Sequence, residues 1–300
     1  MRGFLWNYLE KLIGRMEGNL DKIKVSVPQR KSKGFRVMVY QFPFEPIYTV
    51  EKTLEFVDQR IREISKYNPH VVMFPRYTGN IFMGLVPLSG KKLFSEKGKK
   101  IVENYGVIFR SGYISILRKI AISTESVVVG GTLLLSDEKE EYYVISSGGD
   151  VVATGGVKSI YKIFKVNGVL CSFMFPKELK DYKKARLFIE DGGRIIFTSE
   201  VFEKPVSEWK LKSGIWARSQ SLGILGVNSS IYGNFLGSNL TGITFVSSPA
   251  ALTKRLDGFV VRLTDPESKG IVVADLDFKA LESYIENLPK TYKRWTLGVR

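Results

Sequence analysis

Three stretches near the start of the chain alternate between strand and helix patterns, and this alternation constrains the fold more than any other feature. Residues 35–42 (FRVMVYQF) form a continuous apolar run rich in β-forming side chains, which is typical of a buried strand. Residues 50–65 carry apolar side chains at helical spacing, and residues 70–75 (HVVMFP) form a second buried strand. Strand, helix and strand in this order predict a βαβ unit.

The same alternation continues along the rest of the chain. Apolar periodicity and glycine or proline boundaries predict further helices over residues 112–124, 177–192, 207–223 and 277–288. They also predict further strands over residues 127–135, 142–147, 151–154, 165–175, 194–199, 224–230, 242–248, 255–263 and 271–277. The expected fold class is therefore a layered α/β structure in which helices cover the sheets.

The charge and the rare residue types restrict the possible functions. Lys and Arg outnumber Asp and Glu by 45 to 30, a net charge of +15 that favours anionic partners, but no base-reading motif is present. With Cys171 and His70 as the single cysteine and histidine, no internal disulfide and no Cys- or His-rich metal site can form. We therefore predict no metal and no cofactor. No apolar run reaches the roughly 18 residues of a membrane span, and the cysteine usage fits a reducing, cytoplasmic location.

The first 34 residues have a character of their own. The stretch MRGFLWNYLEKLIGRM predicts an amphipathic helix, followed by a polar, basic connector over residues 17–34. The apolar side of this helix is expected to comprise Phe4, Leu5, Leu9, Leu12 and Ile13. We expect the helix to dock on the domain or on a second subunit, and a membrane-surface helix is the alternative. The predicted organisation is this segment (1–34), a folded domain (35–290) and a C-terminal tail (291–300).

An ordered set of motifs resembles the nitrilase, or carbon–nitrogen hydrolase, superfamily over roughly residues 35–285. The first two are the opening strand with NPHVVMFP, and VVVGGTLLL with the hairpin YYVISSGGDVVAT. The other two are GVLCSFMFPKEL, and WARSQSLGILGVNSS with GSNLTGITFVSSP. The resemblance implies a four-layer αββα sandwich and a homodimer or higher homo-oligomer. It also implies hydrolysis of non-peptide C–N bonds by a Glu, a Lys and a Cys through an acyl-enzyme.

The glutamate of this family follows Phe-Pro, whereas here Phe74 and Pro75 are followed by Arg76. A guanidinium group has no acceptor atom and stays protonated, so Arg76 cannot be a general base. Two interpretations remain for Arg76: a salt bridge in a vacated site, or binding of a small anionic or amide ligand together with Tyr77.

The lysine and the cysteine also depart from the family pattern. Lys158 lies nearest the expected spacing, with Lys162 as the alternative, and only 12 residues separate Lys158 from Cys171 where the family has a long loop. Cys171 is the candidate nucleophile, but counting from Gly168 would place that residue at Ser172. Counting back from Phe175 would place it at Leu170 instead. Because side chains alternate along a strand, Cys171 could equally be a small buried hydrophobe.

Three hypotheses follow. The favoured one is a nitrilase-like protein whose catalysis is impaired or lost. The second is an active amidohydrolase with a relocated carboxylate, for which Glu45, Glu125 and Glu178 are candidates by position. The third is a basic protein that binds an anion, nucleic acid or a membrane surface. His70 and Arg218 are expected to be structural.

Overall fold

The structure, a computed structural model, describes residues 2–23, 34–87, 90–157 and 161–289. Its helices are α1 (Arg2–Leu20), α2 (Val50–Tyr67), α3 (Lys99–Tyr105), α4 (Phe109–Thr124), α5 (Pro176–Leu179), α6 (Tyr182–Glu190), α7 (Glu208–Lys212), α8 (Ile215–Leu222) and α9 (Phe278–Asn287). Its strands are β1 (Phe35–Pro43), β2 (Val71–Met73), β3 (Val127–Ser136), β4 (Lys139–Ile145), β5 (Val151–Gly156), β6 (Ile163–Val166), β7 (Val169–Phe173), β8 (Ile195–Thr198), β9 (Phe202–Glu203), β10 (Leu225–Asn228), β11 (Ser230–Phe235), β12 (Ser238–Thr241), β13 (Phe245–Ser247), β14 (Phe259–Arg262) and β15 (Gly270–Leu276).

The strands form two sheets. In the first, the order is β5-β4-β3-β2-β1-β11-β12-β9, and β15 also pairs with β1. In the second, the order is β14-β13-β10-β8-β7-β6. The central pairs of both sheets are parallel, and the outer strands are antiparallel. The carboxyl ends of the parallel strands therefore meet at one edge of each sheet, where the loops can form a site.

The two sheets pack face to face, and helices cover their outer faces. Side chains of both sheets, such as Val39 and Phe197, share one apolar core between them. The outer face of the first sheet packs against α2 and α4, and that of the second sheet packs against α5, α6 and α8. This arrangement is a four-layer αββα sandwich, as the sequence predicted.

Local signals fix the first βαβ unit. Thr49 caps α2 by accepting a hydrogen bond from the backbone N–H of Lys52 at 3.2 Å. Asn68 ends the helix in the left-handed conformation, and its N–H donates to the carbonyl of Ile64 at 2.9 Å. The chain then returns to β2, which lies parallel to β1. The predicted unit is confirmed, although β2 is shorter than the apolar run suggested.

The prediction of one strand over residues 165–175 is wrong. Asn167 and Gly168, with φ of 49° and 82°, form a tight turn between β6 and β7. Asn-Gly is a strong signal for a two-residue hairpin turn, and the continuous β-forming composition around it obscured that signal. The single strand predicted over 224–230 is also divided, because the chain leaves the second sheet after β10 and joins the first sheet as β11.

Two long predicted helices are each divided in two. The helix expected over 177–192 separates into α5 and α6, and Asp181 caps the second by accepting from Lys183 N–H at 3.0 Å. The helix expected over 207–223 breaks before Gly214. A Cβ on Gly214 would lie 1.4 Å from a carboxylate oxygen of Glu200, so only glycine fits beside that buried carboxylate.

The N-terminal helix is confirmed as α1, and it packs on α2 and α4. Its buried side chains are Leu9, Ile13, Met16 and Leu20, whereas Phe4 of the predicted apolar side is exposed. Within the described parts of the chain, no helix has both the length and the apolar character needed to cross a bilayer. Most of the predicted basic connector and the predicted C-terminal tail (291–300) lie outside the described residues.

Candidate functional site

The loop after β2 places Arg76 at the carboxyl edge of the first sheet. Phe74 N–H still bonds to the carbonyl of Val129 at 2.9 Å, and the chain turns away at Pro75. Gly131 of β3 makes this turn possible, because its φ is +71° and a Cβ there would lie 1.9 Å from the carbonyl oxygen of Pro75. The pairing of β3 with β4 shifts by a bulge at this point. The backbones of β2 and β3 therefore fix the position of the Arg76 backbone.

Arg76 is held by a carboxylate from the neighbouring hairpin. Its Nε donates to Glu140 Oε1 at 2.8 Å, and its terminal Nη2 donates to Glu140 Oε2 at 2.6 Å. The Thr132 hydroxyl donates to the same Oε1 at 2.6 Å and accepts from the Tyr77 N–H at 2.9 Å. The Glu140 side chain is 4 % exposed and that of Arg76 is 23 % exposed. Such a bidentate contact is the strongest form of an Arg–carboxylate pair.

The environment keeps the Arg76 guanidinium charged. Burial disfavours the charge of the guanidinium, but the attraction of Glu140 and its hydrogen bonds exceed that effect and raise the pKa of Arg76 above its ordinary value. The Tyr77 ring lies 4.6 Å from the guanidinium carbon and also contacts the ring of Phe235. Burial raises the pKa of Tyr77, so its hydroxyl stays protonated at neutral pH.

Arg76 and Tyr77 line a cleft of about 860 Å³, which we call the Arg76 cleft. Its aromatic walls come from Tyr77, Phe175, Phe202 and Phe235. Its charged lining comprises Arg76, Lys99 and Lys177 together with Glu96, Asp137, Glu138, Glu140 and Glu203. Carboxylates therefore outnumber cations by five to three, although the whole chain is strongly basic.

Cys171 lies in the middle of β7 and not among the residues that line the Arg76 cleft. It pairs with Phe164 of β6 and with Ile195 of β8, and its side chain is buried in the apolar core between the sheets. Its Sγ donates to the carbonyl of Val169 at 3.6 Å. Burial alone raises the pKa of the thiol. Phe175, four residues further on, lines the cleft together with Pro176 and Lys177.

The structure describes one of the two candidate lysines, Lys162. Lys158 lies outside the described residues. Lys162 is exposed, and its backbone carbonyl accepts a hydrogen bond from the Ser172 hydroxyl at 3.1 Å. Ser172, which the spacing from Gly168 pointed to, is buried and used in this contact.

The Cys171 sulfur hydrogen-bonds to the Val169 carbonyl and to none of the three candidate carboxylates. Glu45 and Glu125 are exposed, and Glu125 ends α4 in the left-handed conformation. Glu178 is buried, accepts from the Phe175 N–H at 2.9 Å and pairs with Lys184 at 2.9 Å. Each of these contacts stabilises the start of α5 and its junction with α6.

Sequence reasoning missed Glu140 and a second buried carboxylate, Glu200. Glu200 follows β8 and accepts from the N–H of Ile215 at 3.3 Å, at the start of α8. Burial raises its pKa to about 7, although that hydrogen bond and the charges of Arg218 and Lys180 act in the opposite direction. A signal for Glu140 did exist, because a cation at the end of a buried strand needs a counter-charge. The sequence does not say which glutamate supplies it.

The structural expectations for His70 and Arg218 agree with their contacts. His70 Nδ1 accepts from the Arg36 N–H at 3.0 Å, and its ring stacks on Phe35. Arg218 donates to the carbonyl of Leu179 at 2.6 Å and so ties α8 to α5. Among the residues that the structure describes, no cluster of three or more His, Cys, Asp and Glu side chains could hold a metal ion.

The layers and the cleft define the class of fold as an αββα sandwich with a cleft at the carboxyl edge of its sheets. No protein-family model matches the chain, and no curated protein matches it in sequence. Solved structures of an amidase from Nesterenkonia do match it in fold. A cysteine-to-serine variant, described as belonging to the nitrilase superfamily, aligns with a TM-score of 0.59 and 14% identity over 87% of this chain and 98% of that chain.

Two further structures of the same amidase give similar values. A glutamate-to-glutamine variant that carries the acetamide moiety of fluoroacetamide on its active-site cysteine has a TM-score of 0.60 and 14% identity, over 90% of this chain and 99% of that chain. A cysteine-to-alanine variant in complex with butyramide has a TM-score of 0.59 and 15% identity, over 86% and 96%. The chain therefore has the fold of the nitrilase superfamily, with a sequence far diverged from these amidases.

Proposed function

We propose that this chain is a nitrilase-fold protein that binds a small ligand in the Arg76 cleft and does not hydrolyse C–N bonds through a cysteine acyl-enzyme. The observation that carries the proposal is the bidentate ion pair between Arg76 and Glu140. It holds a permanent cation where the resemblance to the family expects the proton acceptor. A guanidinium group cannot take a proton from a nucleophile or return one to a leaving amine.

The position of Cys171 supports the same proposal. Acyl transfer needs a thiolate that can reach the substrate, and burial in an apolar core disfavours the thiolate. In addition, the sulfur lies between the two sheets and not at the cleft. Both the base and the nucleophile of the family chemistry are therefore unsuited to it.

The ligand that fits the Arg76 cleft best is neutral or positively charged. Both oxygens of Glu140 are bound to Arg76, so an anion would have to displace this carboxylate or use the remaining Nη1. Lys99 lies 3.7 Å from Asp137. Apart from the Arg76–Glu140 and Lys99–Asp137 pairs, the lining has three carboxylates (Glu96, Glu138 and Glu203) and one cation (Lys177). The excess of negative charge means that the cleft repels anions. The aromatic walls add surface for an apolar body or for an ammonium group. We infer an amide- or amine-bearing ligand.

Amide hydrolysis by the purified protein tests the first half of the proposal. Acrylamide and butyramide, both bound by the Nesterenkonia amidase, are suitable substrates. We expect ammonia release no faster than that of a Cys171→Ser variant. Release by the unsubstituted protein that disappears in Cys171→Ser would refute the loss of cysteine chemistry and restore the amidohydrolase with a relocated carboxylate.

Thermal unfolding with added ligands tests the second half. An aliphatic amide and an aliphatic amine should raise the Tm, and the matched carboxylate should not. Glu203→Gln should weaken the response to the amine, whereas Glu125→Gln, at an exposed position outside the cleft, should leave it unchanged. A larger response to the carboxylate than to the amine would contradict the charge argument and favour an anion on Arg76. The homo-oligomer and the cytoplasmic location stay predictions.

A further inference from the structure

One side of α1 is firmly attached to the domain. Leu9, Ile13 and Met16 are buried in the core that α2 and α4 share with the first sheet. The fit is close, because a Cβ on Gly112 of α4 would lie 3.0 Å from both the Ile13 and Met16 side chains. The helix is therefore held in a fixed orientation, and its opposite side always faces outward.

The outward side carries aromatic and basic side chains in a single stripe. Phe4, Tyr8, Lys11 and Arg15 follow each other at intervals of four, three and four residues, which places them on one helical face. Phe4 is 81 % exposed and Tyr8 is 44 % exposed. Lys11 and Arg15 are exposed as well. We call these four residues the α1 outer surface.

The N-terminal sequence that contains α1 is strongly basic. Residues 1–34 contain eight Lys and Arg against three Asp and Glu, a net charge of +5. Four of the basic residues follow α1 in the segment 24–33, which contains no acidic residue. An exposed stripe of aromatic rings with Lys11 and Arg15, in a basic N-terminal sequence, matches an anionic lipid surface in two ways. The rings can enter the headgroup region, and the cations can bind the lipid phosphates and carboxylates.

We propose that the α1 outer surface docks this protein on a membrane that contains anionic lipid, with α1 lying in the plane of the membrane. A helix fixed along the side of a domain can present its whole outer face to a flat surface. Phe4 and Tyr8 supply the apolar contact, and Lys11 and Arg15 supply the electrostatic attraction. Docking does not involve the Arg76 cleft, so it is independent of the proposed function.

Co-sedimentation of the full chain with lipid vesicles tests this proposal. We expect binding to phosphatidylcholine vesicles that contain about 30 % phosphatidylserine and little binding to phosphatidylcholine alone. Raising the salt from about 0.05 M to about 0.5 M should release most of the protein. Phe4→Ser with Tyr8→Ser, and separately Lys11→Glu with Arg15→Glu, should each weaken binding by about tenfold or more.

Trp209 offers a matched control, since it is an aromatic residue 83 % exposed on α7. Trp209→Ser should bind vesicles as the unsubstituted protein does, and circular dichroism should show every variant folded. Equal binding by the double variants, or equal loss in Trp209→Ser, would overturn the proposal. If Phe4→Ser with Tyr8→Ser instead lowers the particle mass in light scattering without affecting vesicle binding, the surface joins two copies of this chain. If a single-stranded oligonucleotide binds through this surface and vesicles do not, the partner is a nucleic acid.

Discussion

Removing one partner of the Arg76–Glu140 pair should harm the protein far more than removing both charges. Arg76→Met keeps much of the side-chain volume but leaves the Glu140 carboxylate, 4 % exposed, with the Thr132 hydroxyl as its hydrogen-bond donor. Breaking a buried pair from one side typically lowers the free energy of unfolding by about 3–5 kcal/mol. Because Arg76 is 23 % exposed and Thr132 still donates, we expect about 3 kcal/mol.

Adding Glu140→Gln to Arg76→Met should restore much of this loss. The glutamine amide is neutral, so no unpaired charge remains buried, and its oxygen still accepts from Thr132. We expect the double variant to lie within about 1 kcal/mol of the unsubstituted protein, which makes the coupling energy of the pair about 2 kcal/mol or more. Glu140→Gln alone should lose less than Arg76→Met, since the partly exposed Arg76 can be solvated.

Urea unfolding of the four proteins, followed by circular dichroism at about pH 7, measures this cycle. A double variant no more stable than Arg76→Met would refute the reasoning.

Glu200, Gly131 and Cys171 provide three further tests. The folded-state pKa of Glu200, about 7, lies above its ordinary 4.5, so its stabilisation is complete below pH 4.5 and is lost as the pH rises through 7. Between about pH 5 and about pH 8 the unsubstituted protein should therefore lose about 2 kcal/mol relative to Glu200→Gln in urea unfolding. Gly131→Ala should cost about 2 kcal/mol or more in the same assay, whereas Gly148→Ala, with no atom nearer than 3.7 Å, should cost less than about 1 kcal/mol. An aromatic disulfide reagent should modify Cys171 at least about 100-fold faster in denaturant than in buffer, and rapid reaction of the native protein would contradict its burial.

Much of the fold could be predicted from the sequence because its central strands are buried on both faces. Continuous apolar runs such as residues 35–42 and 127–135 have few other interpretations when amphipathic helices separate them. The errors arose where a local turn signal competed with continuous composition. Asn167 and Gly168 divide a run that is β-forming on both sides, and composition alone does not show the division.

The site was harder to predict because its contacts join distant strands. Arg76 could be singled out by its position after Phe-Pro, but Glu140 is 64 residues further along the chain. Its side chain reaches Arg76 only because of the particular register of β3 and β4, which includes a bulge. Glu200 was missed for a similar reason. Its fit depends on Gly214 and on the N–H of Ile215, and it lies beside them only once the second sheet has formed.

Glu140 is also the carboxylate whose position best fits the hypothesis of a relocated general base. It lines the Arg76 cleft, as a base for the family chemistry would have to do. However, Oε1 is bound by Arg76 and Thr132, and Oε2 is bound by the second nitrogen of Arg76. Both oxygens of this carboxylate are therefore already engaged, and the cysteine that it would activate lies in the core between the sheets. Under the proposed function, the cation at position 76 therefore acts twice, since it stands where the resemblance expects one proton acceptor and it occupies the other carboxylate.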